Sequence, residues 1–361
     1  MRIMVATDAW HPQISGVVRT LESLAVAVRA FGATLEFVTP DGFASFPLPT
    51  YPGLRCAIPR GSEIARRIER IRPDAIHIAT EGPIGFIVRR HCLKRALSFT
   101  TSFTTRFPEY IAARVPLPVA WAYAALRRFH AAGAATMVST PTLAAELRNR
   151  GFRRLRMWSR GVDNELFRPD RKLELALPRP IFMSVGRIAP EKNLEAFLAL
   201  PLPGSKVVIG EGPLEADLRA RFPTAHFLGS MAGERLAAHM AAADVFVFPS
   251  RTDTFGIVQL EALSCGVPVA AYPVTGPLDV IGNSGAGILD DDLERACLRA
   301  LGVPRAACRA HALQFSWQAS AAQFLSHLSR IEADAFRPAG APETAWADKP
   351  IGSLKSGVRW S

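Results

Sequence analysis

The 361-residue chain has little cysteine: Cys56, Cys92, Cys265, Cys297 and Cys308 are scattered, with no C-x-x-C pair. That spacing argues against a disulfide framework or a zinc site and fits buried thiols in a reducing compartment. Long apolar runs are missing too. None reaches the roughly 18 uncharged residues that a spanning helix needs. The opening MRIMVATDAWHPQ has only a short apolar stretch before Asp8 and no signal-peptide h-region. A cytoplasmic location is expected, with peripheral contact to the inner face of the membrane left open. Neither a P-loop nor a G-x-G-x-x-G run occurs, so ATP and dinucleotide binding have no motif. Zinc-finger, RRM and homeodomain patterns are likewise missing, which argues against nucleic acid as partner. No cluster of metal-ligating residues stands out, so neither a metal nor a cofactor is expected.

Hydrophobic residues make up 49% and charged residues 21%, the balance of a folded globular chain. The length exceeds one ordinary core of roughly 100–150 residues, so two or three domains are expected. The net charge of +11 leaves nucleic acid, an anionic membrane surface or a phosphate-bearing substrate as candidate partners.

Along the chain, short β-branched runs alternate with helical spacing. RIMVAT, ATLEFVTP, DAIHIAT, SFTTSF and ATMVST read as strands; VVRTLESLAVAVRAFG, EIARRIERIRP and PTLAAELRNRGF read as helices. FRPDRKLELALPRP has the prolines and charges of a linker, placed at 168–179. A second series follows, with IFMSVG, KVVIG, AHFLG, DVFVFPS and PVAAYP as strands and helices between them. This is an α/β chain of two doubly wound parallel-sheet units, 1–167 and 180–315. An amphipathic helix at 316–336 closes the second unit or crosses to the first. The Pro- and Gly-rich tail 337–361 is expected to be loosely ordered.

In open α/β sheets ligands bind where strand ends lead into helices. DVFVFPS delivers the chain to RTDTFG, and a helix begins near Gly256. Its unpaired N–H groups favour an anion such as a diphosphate. Glu261 lies too far inside to cap that helix; a carboxylate there suits a ribose diol, and Asp253 before the turn suits sugar hydroxyls. The plainer reading is an aspartate cap and a solvent-facing glutamate. In GRIAPEKN, Arg187 and Lys192 fall at the same strand-end face. They are either a diphosphate clamp or a solvated basic loop. Gly16 in HPQISGVV either allows close approach to a ligand or is an ordinary loop glycine.

SGVVRTL, TEGPIG, RFPEY, RGVDNELFRP, GRIAPEKN, GEGP and DTFGIVQLEALSCGVPVAAYPVTGP follow one another along nearly the whole chain. In these pieces the chain resembles retaining glycosyltransferases of family 4. The likeness is strongest to the branch containing sulfoquinovosyl-diacylglycerol synthases and GDP-mannose-dependent alpha-mannosyltransferases. The resemblance implies the GT-B architecture, two Rossmann-like domains facing across a cleft. It also implies a UDP- or GDP-linked sugar as donor. Asp253 and Glu261 would take the two places of the family's E-x7-E motif, Asp253 at the sugar and Glu261 at the ribose. Arg187 and Lys192 would bind the diphosphate and stabilise its departure. Phe255, Gly256 and Ile257 would contact phosphate and sugar through their backbone, with Gly16 facing the donor from the other domain. Asp253 is one methylene shorter than the usual Glu. Thr104, in TSFTTRFP, stands where the family commonly has His, and would position the sugar by hydroxyl alone. His11 and His77 are the candidates to replace that imidazole.

The resemblance further implies front-face attack, with the leaving diphosphate assisting removal of the acceptor proton. The acceptor is expected to be a membrane lipid, because residues 106–130 mix Phe, Tyr and Trp with arginines. A solvated amphipathic helix pair explains the same pattern. The alternatives are a soluble or polysaccharide acceptor, a nucleotide-sugar epimerase and a non-catalytic homologue. The oligomeric state is not legible.

Overall fold

The computed structural model describes residues 1–12, 15–48, 51–112, 118–171 and 173–336. The tail 337–361, Lys172 of the linker and residues 113–117 of the aromatic–arginine stretch lie outside the described residues. The strands are β1 (Arg2–Ala6), β2 (Thr34–Val38), β3 (Ser45–Leu48), β4 (Tyr51–Ala57), β5 (Ala75–Ile78), β6 (Thr100–Phe103) and β7 (Ala135–Val138). They continue with β8 (Leu155–Met157), β9 (Ile181–Val185), β10 (Ser205–Ile209), β11 (His226–Phe227), β12 (Val245–Phe248), β13 (Val269–Ala271) and β14 (Gly287–Leu289).

One sheet has the order β2-β1-β5-β6-β7-β8 and is parallel throughout. The chain leaves β1 to one side for β2, then returns to the other side at β5. The second sheet, β11-β10-β9-β12-β13-β14, is also parallel and reverses between β9 and β12. Each reversal opens a crevice at the carboxyl ends of the two strands that flank it. These are two Rossmann-like α/β units.

Every residue of β5, β6, β7 and β12 is buried, as a strand covered on both faces requires. Side chains alternate across the first sheet. Met4, Ile76 and Ile78 pack with Ile64 and Val88 on one side. Ile3 and Val5 pack with Leu21, Leu24 and Phe324 on the other. β6 carries buried polar groups, and the same alternation satisfies them. Thr100 Oγ1 and Ser102 Oγ bond the two ring nitrogens of His77, at 2.9 and 2.7 Å. Thr101, facing the other way, bonds His130 Nδ1 at 2.8 Å. Burial, with a smaller push from Arg160, lowers the His77 pKa to about 3, so its ring is neutral.

Three features depart from the sequence reading. The proline-bearing run between β2 and the helix Gly61–Ile71 forms the antiparallel hairpin β3–β4. The crossover between units begins before the proposed boundary at 167. Val162 and Phe167 already pack in the second core, and Arg309 donates to the carbonyls of Asn164 and Phe167 at 2.9 and 2.8 Å. The last helix is shorter than 316–336. It spans Trp317–His327 and stops where Leu328 turns extended. A bridge between Arg330 and Ala75 follows, then a 3-10 turn at Ala333–Phe336.

That helix lies on the first unit. Trp158 Nε1–H donates to Ser320 Oγ at 3.1 Å, and the Ser159 N–H donates to Gln323 Oε1 at 2.9 Å. Phe324 is fully buried, with its ring centre 5.0 Å from those of both His77 and Trp158. Emptying the Phe324 position should cost about 3–5 kcal/mol, as for other buried aromatics. Urea unfolding of Phe324→Ala checks this; a loss under about 1 kcal/mol would show that the helix is dispensable to the first unit.

Candidate active site

The crevice of the second sheet is walled by the loops after β9 and β12, and hydrogen bonds knit the two together. Asn193 Nδ2 donates to the Pro249 carbonyl at 3.1 Å, and Ser250 Oγ donates to the Glu191 carbonyl at 3.0 Å. Lys192 Nζ reaches both carboxylate oxygens of Asp253, each at 2.7 Å. Arg187 pairs with Glu191 at 2.5 Å. The sequence thus brings Arg187, Lys192 and Asp253 to one place.

From Asp253 the chain turns through Thr254 and Phe255 to Gly256, whose φ of 81° starts the helix Ile257–Ser264. A Cβ at Gly256 would sit 2.5 Å from Gln259 Nε2 and 2.8 Å from the Phe248 ring, so glycine is required for space as well as for conformation. Gln259 Nε2 donates to the Phe255 carbonyl at 2.9 Å and holds the turn. Among the described residues no acceptor takes the N–H of Ile257 or Val258. A helix start with free donors beside two cations is a site for a polyanion.

Glu261 lies on the buried side of that helix, 4% exposed. Among the described residues its one cation comes from the other unit: Arg19 Nη1 donates to Glu261 Oε1 at 2.8 Å. Glu261 Oε2 has no hydrogen-bond partner among the described residues. Burial pushes the Glu261 pKa up, and Arg19 partly offsets it. An unfilled carboxylate oxygen inside a crevice is an acceptor waiting for a hydroxyl donor. The solvent-facing reading of Glu261 is therefore wrong.

The first unit closes over the same turn. Ser139 Oγ donates to the Thr254 carbonyl at 3.0 Å, and Thr254 Oγ1 donates to the Thr104 carbonyl at 2.9 Å. Thr104 thus borders the Asp253–Gly256 turn, with its own hydroxyl directed at the Ala79 carbonyl, 3.4 Å away. Gly16 begins the helix Gly16–Ala27, capped by Ser15, and a Cβ there would meet nothing within 4 Å. The protein itself makes no demand for glycine at that place; Arg19, one turn on, is the residue that enters the crevice. Arg19 lies within SGVVRTL, where nothing in the local spacing marks it for the crevice. Neither candidate histidine takes the place beside Thr104. His77 is inside β5 and saturated by β6, and exposed His11 pairs with Glu22 at 2.6 Å. Among the described residues no three His, Cys, Asp or Glu side chains form a metal-binding group.

Comparison with known proteins gives the class. Residues 14–166 match the family model "Glycosyltransferase Family 4", and residues 179–302 match "Glycosyl transferases group 1". The chain belongs to glycosyltransferase family 4 and has the GT-B fold. It is 31% identical over 266 residues to a sulfoquinovosyl transferase of Arabidopsis thaliana, covering 68% of this chain and 52% of that protein. It thus spans about half the length of the plant relative. It is 27% identical over 316 residues to a GDP-mannose-dependent alpha-mannosyltransferase of Mycobacterium tuberculosis, covering 80% of this chain and 83% of that one. Among solved structures, sucrose-phosphate synthase from Thermosynechococcus elongatus superposes with a TM-score of 0.74 at 20% identity, over 90% of this chain and 97% of that one.

The burial of Glu261 has a pH signature. A carboxyl whose folded pKa is raised keeps its proton longer in the folded chain than in the unfolded one. Its contribution to stability is therefore full below about pH 4.5 and declines as pH rises through the folded value. Glu261→Gln should gain stability relative to wild type between about pH 4 and pH 7. Urea midpoints of both proteins across that range test this; a difference that stays constant with pH would contradict the burial argument.

Proposed function

We propose that the chain is a retaining hexosyltransferase that moves a sugar from a UDP- or GDP-linked donor to a hydroxyl of a membrane lipid. The observation that carries the donor half is the crevice between β9 and β12. There a helix start with free N–H groups, Arg187, Lys192, Asp253 and the half-satisfied Glu261 converge. In this reading the diphosphate lies at the N–H groups of Ile257 and Val258, with Arg187 and Lys192 neutralising it. Asp253 accepts from sugar hydroxyls, Glu261 from the ribose diol, and the Phe255 and Gly256 backbone lines the phosphate–sugar junction. Gly16 and Thr104 border the sugar from the first unit. The bond between the anomeric carbon and the diphosphate oxygen breaks, and the acceptor oxygen bonds to the same face of that carbon. The acceptor proton passes to the departing phosphate oxygen. The protein's contribution is to hold the developing negative charge and to orient the partners.

The lipid half is supported by the outer face of the helix Val119–His130. Trp121 is 70% exposed, and further along the same helix Arg127 and Arg128, with Arg153 and Arg154, line a cavity of about 600 Å³. A helix that carries both an exposed indole and arginines suits the boundary of an anionic bilayer. Arg106, from the same stretch, serves otherwise: it is buried and pairs with Glu146 at 2.6 Å.

The test is a product assay on diacylglycerol-containing liposomes with each labelled nucleotide sugar in turn. Label in the extracted lipid from one donor is expected, also in the presence of EDTA. Arg187→Ala and Lys192→Ala should each lower kcat by about 100- to 1000-fold, the usual loss of a charge-stabilising group. Conversion of the donor without acceptor would favour an epimerase instead, and failure to float with anionic liposomes would count against the membrane.

A further inference from the structure

The two crevices treat an anion in opposite ways. In the second sheet the helix start at Gly256 keeps free donors. In the first sheet the crevice between β1 and β5 faces the helix Pro83–Lys94, and that helix start is already filled. Pro83 has no N–H. The N–H groups of Ile84 and Gly85 donate to the Asp8 carboxylate at 2.8 and 3.3 Å, and the Phe86 N–H donates to the Gly82 carbonyl at 2.9 Å. Thr80 Oγ1 donates to Asp8 at 2.9 Å and accepts from the Asp8 N–H at 2.7 Å. The close fit leaves no room for change: a Cβ at Gly82 would sit 2.3 Å from Asp8 Cγ.

A second acid stands beside the first. Glu81 is 7% exposed; its Oε1 bonds His130 Nε2 at 3.0 Å, and its Oε2 has no partner. Neither acid is paired with a lysine or arginine among the described residues. The crevice is next to the proposed sugar position, because Thr104 links the Ala79 carbonyl to Thr254. A phosphate entering here would find each helix donor taken and two carboxylates at close range. A neutral hydroxyl would meet no such repulsion, and the half-buried Asp8 carboxylate is the acceptor that faces it, with Glu81 buried behind.

We propose that this crevice selects an acceptor hydroxyl whose neighbouring group carries no phosphate, with Asp8 and Glu81 as the residues that set that specificity. The inference rests on the glycosyltransferase reading above and names its acceptor class.

The test compares transfer to diacylglycerol and to phosphatidylglycerol, each in phosphatidylcholine vesicles brought to the same surface charge with phosphatidylserine. Wild type should prefer diacylglycerol by at least about 100-fold in kcat/KM, or roughly two factors of ten in transition-state preference. Asp8→Gly vacates the helix start, and Glu81→Gln removes a charge while keeping an acceptor for His130. Each should narrow the preference at least about tenfold. The Glu81 variant keeps the question answerable if the Asp8 variant folds poorly. Equal rates on the two lipids, or a ratio unmoved in a folded variant, would overturn the inference while leaving lipid glycosylation standing. Transfer to neither lipid counts against the lipid acceptor alone. The same ratio is then read on glucose and glucose 6-phosphate.

Discussion

Three cation–acid pairs hold the second-sheet crevice together, and the bidentate contact of Lys192 with Asp253 is the one on which its shape depends. It joins the loop after β9 to the loop after β12, the two walls of the crevice. Arg187 with Glu191 and Arg19 with Glu261 complete the set. The acids are largely withdrawn from water: the side chains of Glu191 and Glu261 are each 6% exposed, and that of Asp253 is 17% exposed. A buried acid stripped of its cation costs several kcal/mol, so the loops are locked to one another as long as the pairs persist. An arriving diphosphate competes for the same cations. The proposed ligand thus enters a site whose charges are balanced without it, and its binding redistributes pairs and does not merely fill a positive hole.

The same logic extends across the two units. Arg19, Ser139 and Thr104 of the first unit each touch the turn or helix that the second unit offers. Thr142 adds two bonds to Asp279, at 3.0 and 2.9 Å. Apart from the buried Arg19–Glu261 pair, these are polar contacts of a kind that two domains make and break at modest cost. The covalent connections are more tightly built. The outgoing chain at Gly161 and the returning chain at Trp317 run so close that a Cβ at Gly161 would sit 2.4 Å from the Trp317 backbone nitrogen. Val162 N–H donates to the Phe315 carbonyl at 3.2 Å beside it. The charge follows the same division: residues 1–167 carry 23 Lys and Arg against 12 Asp and Glu, and the remainder carries 20 of each.

Alternation of strand and helix was legible because fully buried parallel strands leave β-branched runs such as RIMVA and VFVF that resemble nothing else. The convergence of Arg187, Lys192 and Asp253 followed from strand-end position. Other features left no such trace. The β3–β4 hairpin is written in prolines and glycine, without the β-branched run that marks the other strands. Glu261 sits at a helix position where burial depends on what the other unit supplies, and Arg19 lies 242 residues away. Asp8 as the cap of a helix 75 residues downstream is equally a matter of tertiary contact. Spacing along one chain reports local geometry; it does not report which distant carboxylate fills which helix start.

Thr104, like Asp253, is a residue where family pattern and this chain part, and the structure limits what can compensate. His77 is neutral and saturated within the sheet, and His11 is held by Glu22 outside the crevice. Glu81 and His130, a buried acid and imidazole of the first unit, are bonded to one another. On the proposed reading this arrangement is self-consistent. If the departing diphosphate takes the acceptor proton, no side-chain base is required, and the demand on residue 104 is to shape the sugar's surroundings. Thr104 meets that demand chiefly through its backbone, whose carbonyl accepts from the Thr254 hydroxyl in the turn after Asp253. The family's imidazole would add a hydrogen-bonding group there, so its replacement by Thr bears on which sugar fits before it bears on whether the bond can break.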